Sequence, residues 1–334
     1  MEMHYSDILQ KFKTSKILVV GDLMLDEYLF GNVDRISPEA PVPVLDVKTI
    51  NFRLGGAANT AYNVKSLGDK VFLAGVVGPD GKGEIIKKIL AERGINSEGV
   101  IVDAQRKTTI KTRVVAKNQQ VVRIDIEDRN PIAPEIEQKL AGFIEERIKD
   151  FNAVIISDYA KGVVTETLSR RIIALARENN VFSIVDPKGT DVSKYRGCNI
   201  IAPNKKELGI ALNIPFEQLE LEGRFFEAAK MLMAHVMSEG VLVKCGAEGM
   251  VLFKKGGDVF RFSALNKKAL DVSGAGDTAI GVFALAVAGG ADWKEAVILA
   301  SSACAVKVGK IGTDVVLPEE LAVSLANYVN QNQN

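Results

Sequence analysis

The sequence is poor in the residues that build disulfide frameworks and metal centres. It contains three cysteines and two histidines among 334 residues. Cys198, Cys245 and Cys304 are scattered without the spacing of metal ligands, and His4 and His235 lie far from any motif. This pattern argues against a zinc site or a disulfide-stabilised fold. It indicates free thiols in a reducing compartment, so we expect a cytoplasmic protein.

The sequence also lacks an excess of charge of either sign and a long apolar segment. Its 42 basic and 42 acidic residues cancel, and no basic stripe interleaved with aromatic residues indicates a nucleic-acid surface. The longest apolar run, 279–291, is too short to cross a bilayer, and the first 16 residues lack the apolar core of a signal peptide. Neither nucleic acid nor membrane is therefore expected as a partner, whereas a small polar substrate fits the composition.

Two nucleotide-binding signatures are missing. No G-x-x-x-x-G-K-[ST] P-loop and no protein-kinase motif set occurs, which excludes those two classes of kinase. The chain does contain the octapeptide DVSGAGDT, beginning at Asp271, directly before an apolar run. Gly274, Ala275 and Gly276, at the start of a predicted helix, leave backbone N–H groups open to an anion. Asp277, in the first turn, can accept the proton of an attacking hydroxyl, so the loop suits phosphoryl transfer.

Two other interpretations of this loop stay open at this point. It can be an ordinary glycine-containing turn in which Asp277 merely favours the start of a helix. It can also be a dinucleotide fingerprint, because Gly274, Gly276 and Ala279 fit the G-x-G-x-x-A variant. The late position in the chain and the acid inside the loop disfavour the fingerprint.

The chain alternates between predicted strands and predicted helices. The predicted strands are 16–21, 71–77, 153–157, 181–185, 199–202 and 241–244. The predicted helices are 56–67, 81–93, 134–149, 165–178 and 224–238. This alternation predicts an α/β fold with a mostly parallel sheet covered on both faces. Such sheets bind ligands at the C-terminal ends of their strands.

Two segments, 42–47 and 108–126, break this alternation. They are rich in β-branched residues, and apolar and polar residues alternate along them. Asn118 and Gln119 stand where a hairpin can turn. We expect a small antiparallel sheet that covers the ligand edge as a flap and also serves dimerisation; the alternative is an antiparallel extension of the main sheet. No linker separates two units, so we expect one domain, 1–334, with the small sheet at about 27–52 and 107–127.

Polar and small residues follow several predicted strands. Asp22 and Asp26 come after the first strand, where they can bind substrate hydroxyls or serve in a turn. Gly55 and Gly56, before Asn59, allow a ligand close to the backbone or tight helix packing.

The tetrapeptide NKKE begins at Asn204, after another predicted strand. Glu207 can hold magnesium through water while Asn204 faces nucleotide phosphates. The alternative is a helix N-cap at Asn204 with Glu207 completing a capping box.

Together these motifs resemble the ribokinase-like (PfkB) carbohydrate kinases, in that family's order and from about Lys16 to about Leu321. The resemblance implies a three-layer α/β/α domain with a small β-lid. Within the family, five stretches resemble the D-glycero-β-D-manno-heptose-7-phosphate kinases. They are GNVDRISPEAPVPV from Gly31, Arg123 after NQQ, SDYAKG from Ser157, DPKG from Asp186 and GKIGT from Gly309.

The resemblance implies that ATP and heptose 7-phosphate give heptose 1,7-bisphosphate and ADP, a step towards ADP-heptose and lipopolysaccharide. Asp277 is then the base for the anomeric hydroxyl, and 274–276 form the anion hole. Asp26, Gly55, Gly56 and Asn59 are assigned to sugar hydroxyls. The candidates for the 7-phosphate are Arg35, Lys111, Arg113, Lys161 and Lys188. Lys161 and Lys188 are the first choices because they follow predicted strands, and two or three of the five are expected to make contact.

The resemblance also implies a nucleotide site with Mg²⁺, and it allows for a monovalent cation such as K⁺. Asn204, Glu207, Lys244, Gly246 and Gly249 are assigned to the phosphates and ribose of ATP. Lys310 and Gly312 are assigned to the adenine side. Because Cys245 replaces the small hydroxylated residue expected after the strand, Lys244 either binds phosphate or points elsewhere.

A homodimer through the β-lid is the oligomer that the resemblance implies. Bifunctional members of the family continue into a cytidylyltransferase-like domain, so we expect a stand-alone kinase or the kinase half of such an enzyme. Three alternatives stay open: a kinase of another sugar, sugar phosphate or nucleoside such as ribose, fructose or adenosine; an inactive sugar-binding regulator; and a nucleotide-dependent oxidoreductase.

Overall fold

The computed structural model describes residues 2–117, 119–266, 269–310 and 314–331. Its strands are β1 Lys16–Gly21, β2 Leu23–Ile36, β3 Pro43–Gly56, β4 Lys70–Val77, β5 Asn96–Val102, β6 Thr109–Ala116, β7 Gln119–Ile126, β8 Ala153–Ser157, β9 Phe182–Asp186, β10 Ile200–Ile201, β11 Gly240–Lys244, β12 Met250–Lys254 and β13 Val259–Phe262. Its helices are α1 Glu2–Phe12, α2 Ala57–Leu67, α3 Gly81–Glu92, α4 Pro134–Arg147, α5 Glu166–Glu178, α6 Lys205–Leu212, α7 Glu222–Val236, α8 Ala275–Ala288, α9 Trp293–Lys307 and α10 Pro318–Gln331.

The larger sheet has the strand order β13-β12-β11-β10-β9-β8-β1-β4-β5. Strands β1, β4, β5 and β8 to β11 are parallel, and β12 and β13 join one edge in antiparallel register. Side chains alternate along β1, so Ile17 and Val19 enter one hydrophobic core while Leu18 and Val20 enter the other. Helices α2, α8 and α9 cover the first face, and α4, α5 and α7 cover the second. The predicted α/β class is confirmed.

The strands and helices predicted by alternation all occur within two residues of their predicted bounds. Sequence patterning missed α1, α9, α10, β5, β12 and β13. Strand β5 begins with the polar segment NSEG, and Gly99 interrupts its pattern. A Cβ on Gly99 would lie 2.7 Å from atoms of Ala74 and Phe143, so close packing against β4 and α4 explains this glycine.

The four remaining strands form a separate sheet in the order β3-β2-β6-β7. The predicted strand at 42–47 is only part of the longer β3, and β2 was not predicted because its mixed pattern lacks regular alternation. Strand β2 pairs with β6 in parallel register, whereas the other two pairings are antiparallel. The small sheet is therefore mixed rather than purely antiparallel, and it is not an extension of the main sheet. Asn118, expected in the hairpin turn, lies outside the described residues.

The two faces of the small sheet differ in chemistry. Strand register puts Asp26, Lys111 and Asp125 side by side, with Tyr28, Arg113 and Arg123 in the next row. The opposite face carries apolar side chains, and several of them are exposed. These exposed residues are Ile50, Val122, Ile124 and Ile126.

Helix α8 lies in the core between α2 and α9 and packs on β8 and β9. Its side chains are buried from Asp277 to Ala286, which explains its continuous apolar sequence. Its N-terminus therefore has a fixed position beside the ends of the central strands. Among the described residues, no helix combines the length and apolarity needed to cross a membrane.

Candidate active site

The segment 274–277 forms the start of α8. Gly274 has a φ of 76°, and a Cβ added to it would lie 3.0 Å from Nδ2 of Asn59. Both the left-handed conformation and the close contact favour glycine. Within the described part of the chain, the N–H groups of Gly276 and Asp277 donate to no protein acceptor. The N–H of Ala275, which the sequence predicted to be open, instead donates to the carbonyl of Val272 at 3.2 Å because the turn closes there. Open N–H groups at a helix N-terminus can bind an anion.

The side chain of Asp277 is buried and accepts hydrogen bonds from three neutral donors. Thr60 Oγ1 and Tyr159 OH donate to Oδ1, each at 2.8 Å, and Asn59 Nδ2 donates to Oδ2 at 2.5 Å. Burial raises the pKa of Asp277, while these hydrogen bonds and the charge of Lys244 oppose the rise. A raised pKa suits a carboxylate that takes up a proton.

A sharp turn from β3 into α2 positions two of these donors. Gly56 has a φ of 57°, and a Cβ there would lie 2.4 Å from the carbonyl oxygen of Asp22. A Cβ on Gly55 would lie 3.0 Å from Oδ2 of Asp26. The sequence allowed these glycines either to admit a ligand or to permit close packing. The structure shows close packing at both. It brings Asn59, at the start of α2, to Asp277.

Asp22 fixes the loop that carries the third donor. Its carboxylate accepts the backbone N–H groups of Tyr159, Lys161 and Val163 at 2.8 to 3.1 Å. Burial, reinforced by the nearby charge of Asp158, raises the pKa of Asp22 to about 6. Of the two interpretations of Asp22, the structure shows the one in a turn: its carboxylate binds backbone N–H groups of the 159–163 loop.

Sequence reasoning missed Thr60 and Tyr159 as partners of Asp277. A signal for Tyr159 was present, because the SDYAKG segment follows β8 at the ligand edge. It was interpreted only as part of a family resemblance. Nothing in the local sequence distinguishes Thr60 from other threonines.

Three of the five candidate phosphate-binding cations lie in one network beside Asp26. Arg113 donates to Oδ1 of Asp26 at 2.6 Å. Lys161 Nζ lies 2.8 Å from Oε2 of Glu127, and Lys111 Nζ lies 3.7 Å from the same oxygen. Two ammonium groups thus share one carboxylate.

The other two candidates lie elsewhere. Arg35 is exposed near the far end of β2, nine residues beyond Asp26, or about 30 Å along an extended strand. Lys188 donates to Oε1 of Glu207 at 2.7 Å, on the other side of the site.

Glu207 and Asn204 form the capping box that was the alternative interpretation. The Glu207 N–H donates to Asn204 Oδ1 at 2.9 Å, and the Asn204 N–H donates to Glu207 Oε2 at 2.8 Å. Both residues also line the cavity described below. The cap therefore fixes the carboxylate at the cavity wall and leaves it within reach of a ligand.

Lys244 forms a buried ion pair with Asp186 next to Glu207. Burial raises the pKa of Asp186 to about 6 although Lys244 opposes this effect. Burial lowers the pKa of Lys244, but Asp186 and Glu207 more than compensate, and the net shift is upward. Lys244 is therefore a charged ammonium inside the site.

One cavity of about 400 Å³ joins Asp277 to the group of Asp186, Glu207 and Lys244. Its polar wall includes Asp186, Lys188, Asn204, Glu207, Lys244 and 274–277. Gly246 and Gly249 line it as well; Gly249 has a φ of 97°, and a Cβ there would overlap the carbonyl of Phe262. A second wall is apolar and consists of Ala264, Leu265, Val272, Ala305 and Val308.

Lys310, one of the two residues assigned to the adenine side, is not among the residues that line this cavity. Lys310 Nζ donates to the carbonyl of Val315 at 2.8 Å and to Glu320 at 2.6 Å. Gly312 lies outside the described residues.

Comparison with known proteins gives consistent results for sequence and structure. The chain is 45% identical over 308 residues to the bifunctional protein HldE of Geobacter metallireducens. This alignment covers 92% of this chain and 62% of that protein. It is 42% identical over 310 residues to HldE of Helicobacter pylori, covering 93% and 66%. The chain thus spans about two thirds or less of these relatives' length.

Solved structures share the fold. Arabidopsis thaliana ribokinase, solved with ribose and ATP, has a TM-score of 0.72 at 20% identity, covering 93% of this chain and 98% of that one. Phosphofructokinase-2 from Escherichia coli, solved with potassium, has a TM-score of 0.76 at 20% identity, covering 94% and 99%. The fold is therefore ribokinase-like. Residues 14–320 match the family described as pfkB family carbohydrate kinase, and the chain belongs to that family.

Proposed function

We propose that this chain transfers the γ-phosphoryl group of ATP to the anomeric C1 hydroxyl of D-glycero-β-D-manno-heptose 7-phosphate. The products are heptose 1,7-bisphosphate and ADP, on the route to ADP-heptose and the lipopolysaccharide core. One observation carries the transfer step: Asp277, with a raised pKa, stands beside open N–H groups in a cavity large enough for a nucleotide. The similarity to the HldE proteins supports the choice of sugar.

Asp277 acts as the base in this proposal. Its carboxylate accepts the C1 hydroxyl proton, the hydroxyl oxygen forms a bond to the γ-phosphorus, and the bond between that phosphorus and the ADP oxygen breaks. The open N–H groups of Gly276 and Asp277 stabilise the charge that spreads over the equatorial oxygens. An anomeric hydroxyl is more acidic than an ordinary alcohol, so a carboxylate is a sufficient acceptor.

The phosphorylated end of the sugar is assigned to the network beside Asp26. Lys111, Arg113 and Lys161 converge on three carboxylates there, and a phosphate can replace Glu127 as the partner of two ammonium groups. Asp26 holds a sugar hydroxyl. Arg35 has no part in this site within one subunit.

We assign Lys188 to the nucleotide rather than to the sugar, because it pairs with Glu207 in the cavity. Lys188 and Lys244 bind the ATP phosphates, and the apolar wall accommodates the adenine base. Gly246 and Gly249 admit the ribose and phosphates close to the backbone.

The residues fit magnesium bound together with the nucleotide. No cluster of three His, Cys, Asp or Glu side chains suited to a metal occurs among the described residues. Magnesium bound with a nucleotide takes most of its ligands from phosphates and water. Glu207, with its carboxylate oxygens at the cavity wall, would hold the ion through water. When bound, Mg²⁺ neutralises charge on the phosphates.

We further propose that the whole chain is one kinase domain, located in the cytoplasm, with the small sheet as its lid. The charged face of that sheet closes over the sugar. The exposed apolar residues of the opposite face form a homodimer contact, because an apolar patch of this kind is typical of an interface.

A coupled ADP-release assay over heptose 7-phosphate, fructose 6-phosphate, ribose, fructose and adenosine tests the proposal, with Asp277→Asn as the inactive control. We expect heptose 7-phosphate to give the highest kcat/KM, and NMR of the product to place the new phosphate on C1. Preference for a sugar without phosphate would contradict the assigned substrate. No turnover on any acceptor would contradict kinase activity itself.

A further inference from the structure

A fully buried lysine lies directly behind the 274–277 loop. Lys307 is 0% exposed and belongs to the last turn of α9. Its Cε lies 3.4 Å from the position that a Cβ on Gly274 would take. The function proposed above gives this side chain no role.

The end of α9 is fixed to this loop on both sides of Lys307. The thiol of Cys304 lies 3.4 Å from the carbonyl oxygen of Ala275 and donates to it. The carbonyl of Val308 accepts the N–H groups of Leu270 and Asp271 at 2.8 and 3.3 Å. These contacts hold the backbone of Lys307 against the loop. The side chain of Lys307 therefore has a fixed position relative to a phosphoryl group bound there.

Charged groups of both signs surround Lys307. Burial lowers its pKa, Asp271 and Asp314 oppose that effect, and Arg53 and Lys310 act in the same sense as burial. Moving an ammonium out of water costs several kcal/mol, which an apolar side chain of similar length would avoid. A charge kept at this cost, next to an anion-binding loop, is a candidate for function.

We infer that Lys307 is a positioning residue that acts as a fixed internal cation behind the loop. Its ammonium offsets the charge of Asp271 and lowers the energy of the anionic phosphoryl group at the open N–H groups of Gly276 and Asp277. The inference rests on the proposed phosphoryl transfer, but not on the identity of the sugar.

Lys307→Met removes the charge and keeps most of the side-chain volume. We expect kcat to fall roughly 10- to 100-fold with little change in the KM of the sugar. A Lys307→Met variant with wild-type kcat would overturn the inference.

Calorimetry tests the same charge without any sugar. The affinity of a non-hydrolysable ATP analogue with Mg²⁺ is compared with that of ADP with Mg²⁺. In Lys307→Met the analogue should lose roughly 10-fold more affinity than ADP, because only the analogue places a γ-phosphate at the loop. An equal loss for both ligands would overturn the inference. If the wild type phosphorylates no sugar phosphate, the assigned substrate is wrong, yet this ratio still tests Lys307.

Two further variants separate charge from packing. Lys307→Arg keeps the charge and should retain more activity than Lys307→Met. Lys294→Met removes an exposed lysine from the same helix and should match the wild type in every assay. The melting temperature of Lys307→Met should stay equal or rise, because a buried charge is removed. A lower melting temperature together with loss of ADP binding would show a packing role and contradict the inference.

Discussion

The two ends of the cavity hold their carboxylates in different ways. Asp277 accepts hydrogen bonds from three neutral donors, whereas Asp186 and Glu207 are paired with the ammonium groups of Lys244 and Lys188. Neutral donors orient the carboxylate and lower its pKa but do not cancel its charge, and burial outweighs them, so the pKa of Asp277 stays raised. An ammonium partner cancels the charge and can be exchanged for another ion. The first arrangement suits a base and the second suits a site for phosphates and a metal.

Replacing Asp277, the proposed base, should have the largest effect. Asp277→Asn keeps the shape of the side chain but removes its ability to accept a proton. We expect kcat to fall by about 10³- to 10⁴-fold, while ATP affinity, measured by calorimetry, changes less than about threefold. Substantial residual turnover would remove Asp277 from its role as base and with it the contrast between the two ends.

The second comparison uses Lys161 and Lys188, which the sequence analysis both assigned to the 7-phosphate. Lys161→Ala should raise the KM for heptose 7-phosphate roughly 10- to 100-fold and leave the KM for ATP nearly unchanged, because we propose that its ammonium binds the sugar phosphate. Lys188→Ala should do the reverse. Steady-state kinetics with each substrate varied in turn would measure both effects. Equal shifts in the two KM values for either variant would contradict the assignment of that lysine.

Removing one neutral donor should have a smaller effect. Tyr159→Phe deletes the hydrogen bond to Oδ1 of Asp277 but keeps the ring. That bond lowers the pKa of Asp277, so its loss raises this pKa further. The acid limb of the kcat profile should therefore move to higher pH, with kcat at neutral pH reduced about 10-fold. A pH–rate profile of kcat for both proteins measures the shift, and superimposable acid limbs would show that Tyr159 does not tune the base.

The parts of this site that the sequence predicted are encoded within a few residues. The loop at 274–277 and the pair of Asn204 and Glu207 each combine a strand or helix end with a short motif. Local propensity and backbone geometry are sufficient to predict such features, and the same holds for the alternating strands of the main sheet.

The missed parts depend on contacts between distant segments. Tyr159 and Thr60 reach Asp277 across 118 and 217 residues of sequence. Lys188 follows a strand as Lys161 does, but the folded chain turns it towards Glu207. Nothing in the sequence around Lys307 distinguishes it from a surface lysine near a helix C-terminus. Its burial arises from the packing of α9 on the loop. Pairing partners of this kind follow from tertiary structure and not from local pattern.

The smallest expected effect concerns the loop that presents Tyr159. The pKa of Asp22 is about 6 in the folded protein, above its ordinary value of 3.8. Between these values the folded state binds more protons than the unfolded chain. The free energy of unfolding should therefore fall as pH rises from about 4 to about 6, by on the order of 1 to 3 kcal/mol, and then level off.

Asp22→Asn should make this dependence shallower without abolishing it, because Asp186 has a pKa raised to about 6 as well and remains in the variant. Guanidinium unfolding at pH 4, 5, 6 and 7 measures the slope in both proteins. At neutral pH the variant also loses acceptors for the loop N–H groups, so its kcat should approach that of Tyr159→Phe. Identical slopes would mean that Asp22 titrates normally. The neutral donor of Asp277 would then be held by packing rather than by this buried carboxylate.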